Sequence, residues 1–159
     1  MNIIILTVGS LKEKWEKAAF DEYTKRISGY SAVNSVEIQE TRLSDHPSEK
    51  EIANALDAEG KAILSRIPKN AAVIALCIEG KKLSSEKFAK CISDHCLNGK
   101  STICFIIGSS FGLSDNVKNS ADLKLSMSDM TFPHRLARIM AAEQIYRALS
   151  ILNNSRYHK

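Results

Sequence analysis

The sequence predicts an α/β fold, a mostly parallel sheet covered by helices on both faces. Three observations predict it. Apolar, β-like runs alternate with helical stretches along the whole chain. Two central runs, AVIALCI at residues 72–78 and TICFII at Thr102–Ile107, are apolar almost throughout, as strands buried on both faces must be. No repeat, low-complexity tract or linker interrupts the pattern, and 159 residues are enough for one domain with a proper core. The expectation is a single domain over residues 1–159.

Each element has a local reason. Asn2–Val8 is a β-branched apolar run, hence a strand. Residues 12–26 read as a helix, with Trp15, Ala18, Ala19 and Ile27 near one face. Residues 35–41 alternate, Val36 and Ile38 against Glu37 and Gln39, which predicts a half-buried strand. Pro47 suits the first turn of a helix reaching Ser65. The buried strand at 72–78 should stop at Gly80, and Ser84 or Ser85 should cap a helix that closes at Gly99. After Thr102–Ile107 come a short helix at 114–119, a last strand at 123–127, and a terminal helix opened by Pro133 and running to Leu152.

Composition narrows the classes. With 44% hydrophobic and 25% charged residues the chain is neither disordered nor membrane-bound. The apolar start at Ile3 to Leu6 is too short for a signal-peptide core or a membrane span, so a cytoplasmic protein is expected. The four cysteines should be reduced, and no C-x-x-C pair exists. Cys91 and His95 share a helix face, but two ligands without a second pair do not make a metal site, and none is expected.

Charge is uneven. From Arg135 onward there are five cations and one anion, Glu143, while the first 134 residues balance. The chain carries +4 in all, so its whole surplus lies in the terminal segment, which predicts a site for something negative. In a parallel sheet ligands sit beyond the carboxyl ends of the strands. Those ends carry Glu79-Gly80, the stretch Gly108 to Gly112, and the stretch Ser126 to Phe132.

Three segments then stand out: Phe105-Ile106-Ile107-Gly108 with Gly112-Leu113-Ser114; Met130-Thr131-Phe132-Pro133-His134; and Glu143-Gln144-Ile145-Tyr146-Arg147-Ala148 followed by Tyr157-His158-Lys159. Together with Ile5-Leu6-Thr7-Val8-Gly9 and Lys12, they resemble the ribosomal RNA large subunit methyltransferase H family over the whole chain. The resemblance implies the SPOUT class, whose parallel α/β sheet threads a C-terminal trefoil knot. It also implies a homodimer that uses S-adenosylmethionine to methylate N3 of a pseudouridine in large-subunit ribosomal RNA. The few cations point to the assembled ribosome as substrate. Knots are nearly forbidden by ordinary connection rules, so only the resemblance implies one.

By position, the resemblance puts Leu76, Gly108, Met127, Ser128, Asp129, Met130, Thr131 and Phe132 around the cofactor. Bends after buried strands supply backbone donors and apolar walls, which suit a neutral adenine ring. Gly108 would let the chain approach the ligand closely. Alignment can lower a methyl-transfer barrier by about 7–11 kcal/mol at best, and the N3 proton must also be removed. Candidate bases are His158, Glu143 and His134; imidazole chemistry favours His158, with Tyr157 orienting it. Arg147 could hold a phosphate or a uracil carbonyl through its fork. Spacing alone makes Glu143 and Arg147 an i,i+4 surface pair worth about 0.3–0.5 kcal/mol, and only the resemblance promotes them to the catalytic set. Arg135, Arg138, Arg156 and Lys159 would meet RNA phosphates.

The terminal helix is apolar nearly all round, and a symmetric partner helix is the simplest cover for the excess. A partner would bring its terminal tail to the cofactor loops. Three residues depart from the family pattern: Ser109 where a second glycine is usual, Phe111 where a smaller residue is usual, and Asp129 where lysine is common. Serine at a left-handed position would be strained and would point at the cofactor. The alternative reading is therefore a homologue that binds RNA or the ribosome with weakened or absent catalysis. A third, an unrelated nucleotide-using α/β enzyme, lacks the phosphate-loop and dinucleotide motifs.

Overall fold

The computed structural model describes residues 1–158. Five strands, β1 (Asn2–Val8), β2 (Ala32–Ile38), β3 (Ala72–Lys82), β4 (Thr102–Ile107) and β5 (Leu123–Ser126), form one sheet in the order β2-β1-β4-β3-β5, every pair parallel. Helices α1 (Lys14–Ser28), α3 (Ser85–Leu97) and α5 (His134–Leu152) lie on one face, and α2 (Glu49–Leu64) and α4 (Asp115–Ser120) on the other.

The alternation of strand side chains makes both cores. Ile3 and Ile5, Ala72 and Ile74, and Ile103, Phe105 and Ile107 point to the first face, where they meet Phe20, Ile27, Phe88, Ile92, Ile145 and Leu149. Leu6 and Val8, Val73 and Ala75, and Cys104 and Ile106 point to the other, against Ile63 and Val117. Cys104 is fully buried and its thiol is pushed up to about 12 by desolvation. All four cysteines are free thiols.

Several boundaries move, each for a visible reason. Glu16, not Lys12, organises the start of α1: its carboxylate accepts the Lys12 and Glu13 backbone N–H groups at 2.9 and 3.0 Å. The buried stripe is consequently Glu16, Phe20 and Ile27, while Trp15 (59% exposed) and Ala18 face solvent. Strand β2 begins at Ala32, three residues before the alternating segment. Pro47 precedes the cap of α2, because Ser48 and Glu51 form a reciprocal capping box. Strand β3 runs through Gly80 to Lys82 by way of a bulge opposite Leu125, and at Gly80 the β5 backbone lies so close that a Cβ would fall 2.6 Å from the Leu125 carbonyl carbon.

Helix α5 also finds its cover within the chain. It packs between α1 and α3 above the sheet, which accounts for an apolar surface spread over so much of its circumference. Only its outward positions, such as Leu136 (37% exposed), are left uncovered. Among the described residues no helix is long and apolar enough to cross a membrane.

Candidate active site

Strands β1 and β4 are neighbours, yet the chain leaves β1 for α1 on one face and β4 for α4 on the other. Parallel sheets open a crevice where connections diverge in this way. A cleft of about 630 Å³ lies beside that point, over the carboxyl ends of β4, β3 and β5. It gathers Leu76, Gly108, Met127, Ser128, Met130, Thr131 and Phe132, which are seven of the eight residues expected at a cofactor. Asp129 is adjacent but turns outward and pairs with Lys82 across the bulge of β3.

Gly108 owes its identity to the protein's own backbone. A Cβ there would sit 2.1 Å from the Gly112 carbonyl oxygen, so the loop after β4 can close back on itself only over a glycine. Gly108 also lines the cleft, where a close approach to a ligand is expected. Ser109 is placed differently from expectation. It is absent from the positive-φ residues, is buried, and turns its hydroxyl to Glu59 at 3.2 Å instead of toward the cleft. Phe111 is 45% exposed on the rim. The loop after β5 is shaped by Ser126, whose hydroxyl donates to the Ser128 carbonyl at 3.0 Å, and by Ser128, whose Oγ accepts the Met130 N–H at 3.0 Å.

One pair in the cleft escaped the sequence reading. Glu79, on the β3 bulge, and Lys118, on α4, form an ion pair at 2.6 Å. The Lys118 hydrogen bond holds the Glu79 carboxyl below its usual range, and Glu79 raises Lys118. A strand-end acid was visible in the sequence at Glu79. Its partner 39 positions away was not.

The terminal cluster assembles around Glu143. Its Oε1 accepts the Arg147 guanidinium through Nε at 2.9 Å and again through the adjacent NH2 group, and also accepts the Tyr157 hydroxyl at 3.0 Å. Gln144 donates to the other carboxylate oxygen at 2.7 Å. Burial, together with this bond to Glu143, pushes the Tyr157 phenol up to about 12, so it is a donor at neutral pH. Arg147 lies 4.7 Å over the Tyr157 ring. His158 has Nδ1 at 3.5 Å from Arg147 and Nε2 at 2.8 Å from Glu86. Since arginine only donates, Nδ1 is assigned as acceptor and Nε2–H as donor. Glu86 is held down at about 2, first by its own backbone N–H, then by Ser84 and His158.

None of Glu143, Arg147, Tyr157 and His158 lines the cleft of their own chain. Glu143 instead borders a second hollow, of about 450 Å³, that shares Leu125, Ser126 and Met127 with it. His134 does line the cleft, and burial lowers its pKa below the usual imidazole value.

The terminal charge surplus disperses on folding. Arg135 pairs with the buried Glu16 at 3.3 Å, and Arg147 with Glu143. Arg138 is 5% exposed, bonded to Glu37 at 2.8 Å and stacked 4.3 Å over Phe20, so it presents no surface to a phosphate. Arg156 is exposed. Lys159 lies outside the described residues.

Comparison with known proteins places the chain in a family. The family model described as "Predicted SPOUT methyltransferase" matches residues 1–158. The chain is 49% identical, over 159 residues and the full length of both proteins, to the ribosomal RNA large subunit methyltransferase H of Clostridioides difficile strain 630. It is 48% identical over the same full span to the protein of that name from Bacillus pumilus SAFR-032. A crystal structure from Bordetella pertussis Tohama I, described as a probable methyltransferase, shares the fold with a TM-score of 0.53 at 14% identity, over 93% of this chain and 95% of that one. With a matching family model over nearly its whole length and relatives close to half identical end to end, the chain belongs to the SPOUT methyltransferase family.

Proposed function

We propose that this protein transfers a methyl group from S-adenosylmethionine to N3 of a pseudouridine in large-subunit ribosomal RNA, acting in the cytoplasm on the assembled ribosome as a homodimer. One observation carries the reading. The two strand-end segments that resemble the methyltransferase H family, one after β4 and one after β5, converge on a single cleft.

The cleft fits the cofactor chemically. Leu76, Leu125 and Phe132 offer apolar walls for a purine, and the bends at 108–113 and 127–132 bring backbone to its edges. Glu79 and Lys118 set an acid beside a base, the complement of an amino-acid zwitterion. S-adenosylmethionine supplies, when bound, an activated methyl group on a sulfonium. What remains for the protein is to align the acceptor and remove a proton.

Arg147, already oriented by Glu143, would bind the uracil carbonyl and stabilise the ring anion. Tyr157 would steer the acceptor as a hydroxyl donor. His158 is our candidate base, with its Nδ1 lone pair freed when RNA draws Arg147 away. Because these groups stand outside their own chain's cleft, the reading requires that a partner subunit's tail complete it. Uncovered Ile78, Met130 and Leu136 give such a partner apolar ground. Arg156 and Lys159 would grip phosphates; Arg135, paired with the buried Glu16, and Arg138, paired with Glu37, are left out. The trefoil threading belongs to the same reading.

His134 supports a second assignment of the base, since it lines the cleft in its own chain and is neutral near pH 7. Loss of turnover in His158→Ala with His134→Asn active selects His158; the reverse selects His134. The binding-only alternative drew on Ser109 and Asp129; Ser109 lines the cleft with its hydroxyl turned to Glu59, and Asp129 stands outside it, paired with Lys82. Mass mapping of ribosomal RNA from cells with and without the gene tests the whole reading. One large-subunit methyl group should vanish in the deletion, and an unchanged pattern would refute it.

A further inference from the structure

We infer that the polar groove beside the cofactor cleft is a subsite for single-stranded RNA flanking the acceptor base, an inference that rests on the methyltransferase reading above. The groove, of about 780 Å³, lies over the carboxyl ends of β1 and β2. It meets the cleft at Ser110 and Phe111, which line both. A strand delivering a base to the cleft can therefore continue into the groove without leaving the surface.

Its charge suits a phosphate backbone. Lys12 and Arg42 line it, both are exposed, and among the described residues neither forms an ion pair. Of its two acids, Glu37 is already neutralised by Arg138, leaving Glu40 against two cations. Its aromatic ring suits a base. Phe111 stands 45% exposed on the ridge between groove and cleft, at the centre of the exposed turn Ser110-Phe111-Gly112. Cations that track a backbone beside exposed rings that stack bases are what sequence-blind single-strand binding uses.

The groove is also built. Glu59, 4% exposed, accepts the Thr41 N–H at 2.8 Å with one oxygen and the Ser109 hydroxyl at 3.2 Å with the other. One buried carboxylate thus fixes both walls, the loop after β2 and the loop after β4. A site held open in this way spares a ligand the cost of ordering it.

The test is fluorescence anisotropy with a labelled decauridylate, using wild type, Lys12→Ala/Arg42→Ala, Phe111→Ala, and Lys25→Ala/Lys69→Ala as a control at the opposite end of the sheet. The paired groove variant should bind roughly ten-fold more weakly at low salt, and its slope of log affinity on log salt should fall by about 1.4. Phe111→Ala should lose about five-fold or more with the slope unchanged. The control should match wild type. Calorimetry with S-adenosylmethionine is run on the same proteins, and the paired variant should keep the wild-type affinity. If the paired variant keeps wild-type RNA affinity and slope, or if wild type does not bind the oligonucleotide while still binding cofactor, the subsite is wrong and the methyltransferase reading stands. If wild type does not bind the cofactor at all, that reading fails with it.

Discussion

Two side chains and one missing side chain carry much of the site's geometry. Glu59 is buried with two donors aimed at it, so Glu59→Ala strands the Thr41 N–H and the Ser109 hydroxyl together. Leaving a buried donor unsatisfied costs about 1–3 kcal/mol, and at roughly 2–4 °C per kcal/mol the melting temperature should drop by several degrees. Calorimetric scanning would show it, and an unchanged melting point would mean that water replaces the carboxylate. Gly108→Ala acts more locally. Its new methyl would overlap the Gly112 carbonyl, which is backbone and cannot rotate aside, so the loop must shift. A displacement of an ångström at an aligned site is worth about a hundred-fold in rate, and cofactor affinity measured by titration should collapse alongside turnover. His134 sets a pH dependence. Burial depresses its pKa in the fold, so the unfolded chain takes up a proton first as pH falls through about 6.5. Stability is full above that value and declines below it, until the folded imidazole also protonates. His134→Asn should flatten this acid-side decline in thermal scans between about pH 7 and 5; an identical decline in both proteins would assign the loss to other groups.

Helix α5 shows how element-level inference succeeds and where it stops. Its outer positions include Leu136 and the half-buried Met140, above a row that is fully buried from Ile139 to Leu149. If a second subunit covers the outer row, Leu136→Glu should give a monomer by sedimentation, inactive yet with nearly the wild-type melting point. A dimer that persists would move the interface elsewhere. The apolar character of this helix was plain in the sequence, but its cause was not, because α1 and α3 flank it and sequence periodicity does not reveal which neighbours a helix has. The same limit applies to α1. The Glu16 capping interaction decides its phase, and that phase puts Phe20 inside and Trp15 outside, whereas hydrophobicity alone favoured Trp15. Strands β1 and β4 were readable to the residue because both of their faces are largely buried and apolar residues run almost unbroken through them. Strand β3 overran its expected end at Gly80 because the glycine serves a close approach by β5, not a turn. The location of the cleft could be read because its loops follow strands, while the cofactor role of their residues came from the resemblance alone. The Glu79–Lys118 pair, the Glu59 anchor and the spending of Arg135 and Arg138 on Glu16 and Glu37 could not, since each joins positions that only the fold brings together.

The molecule as a whole keeps its two chemical centres apart. The cleft is at the carboxyl ends of β3, β4 and β5, while Arg147, Tyr157 and His158 cluster on Glu143 and Glu86, outside it. On the proposed reading, a monomer so arranged would bind the methyl donor in its cleft and carry acceptor-handling groups that do not reach it, and a twofold partner is the economical way to join them. This makes a sharp prediction for mixed dimers. A Gly108→Ala subunit would have a spoiled cleft and an intact tail; a Tyr157→Phe/His158→Ala subunit would have the reverse. Each homodimer should be nearly inactive. In a heterodimer one of the two composite sites is assembled from sound halves, while the other combines both defects. Heterodimers isolated with two different affinity tags should therefore recover about half of the wild-type rate, and an unsorted equal mixture about a quarter. If cleft and tail instead served the same chain, every subunit in the mixture would carry one defect and no activity would return, whatever the tags selected.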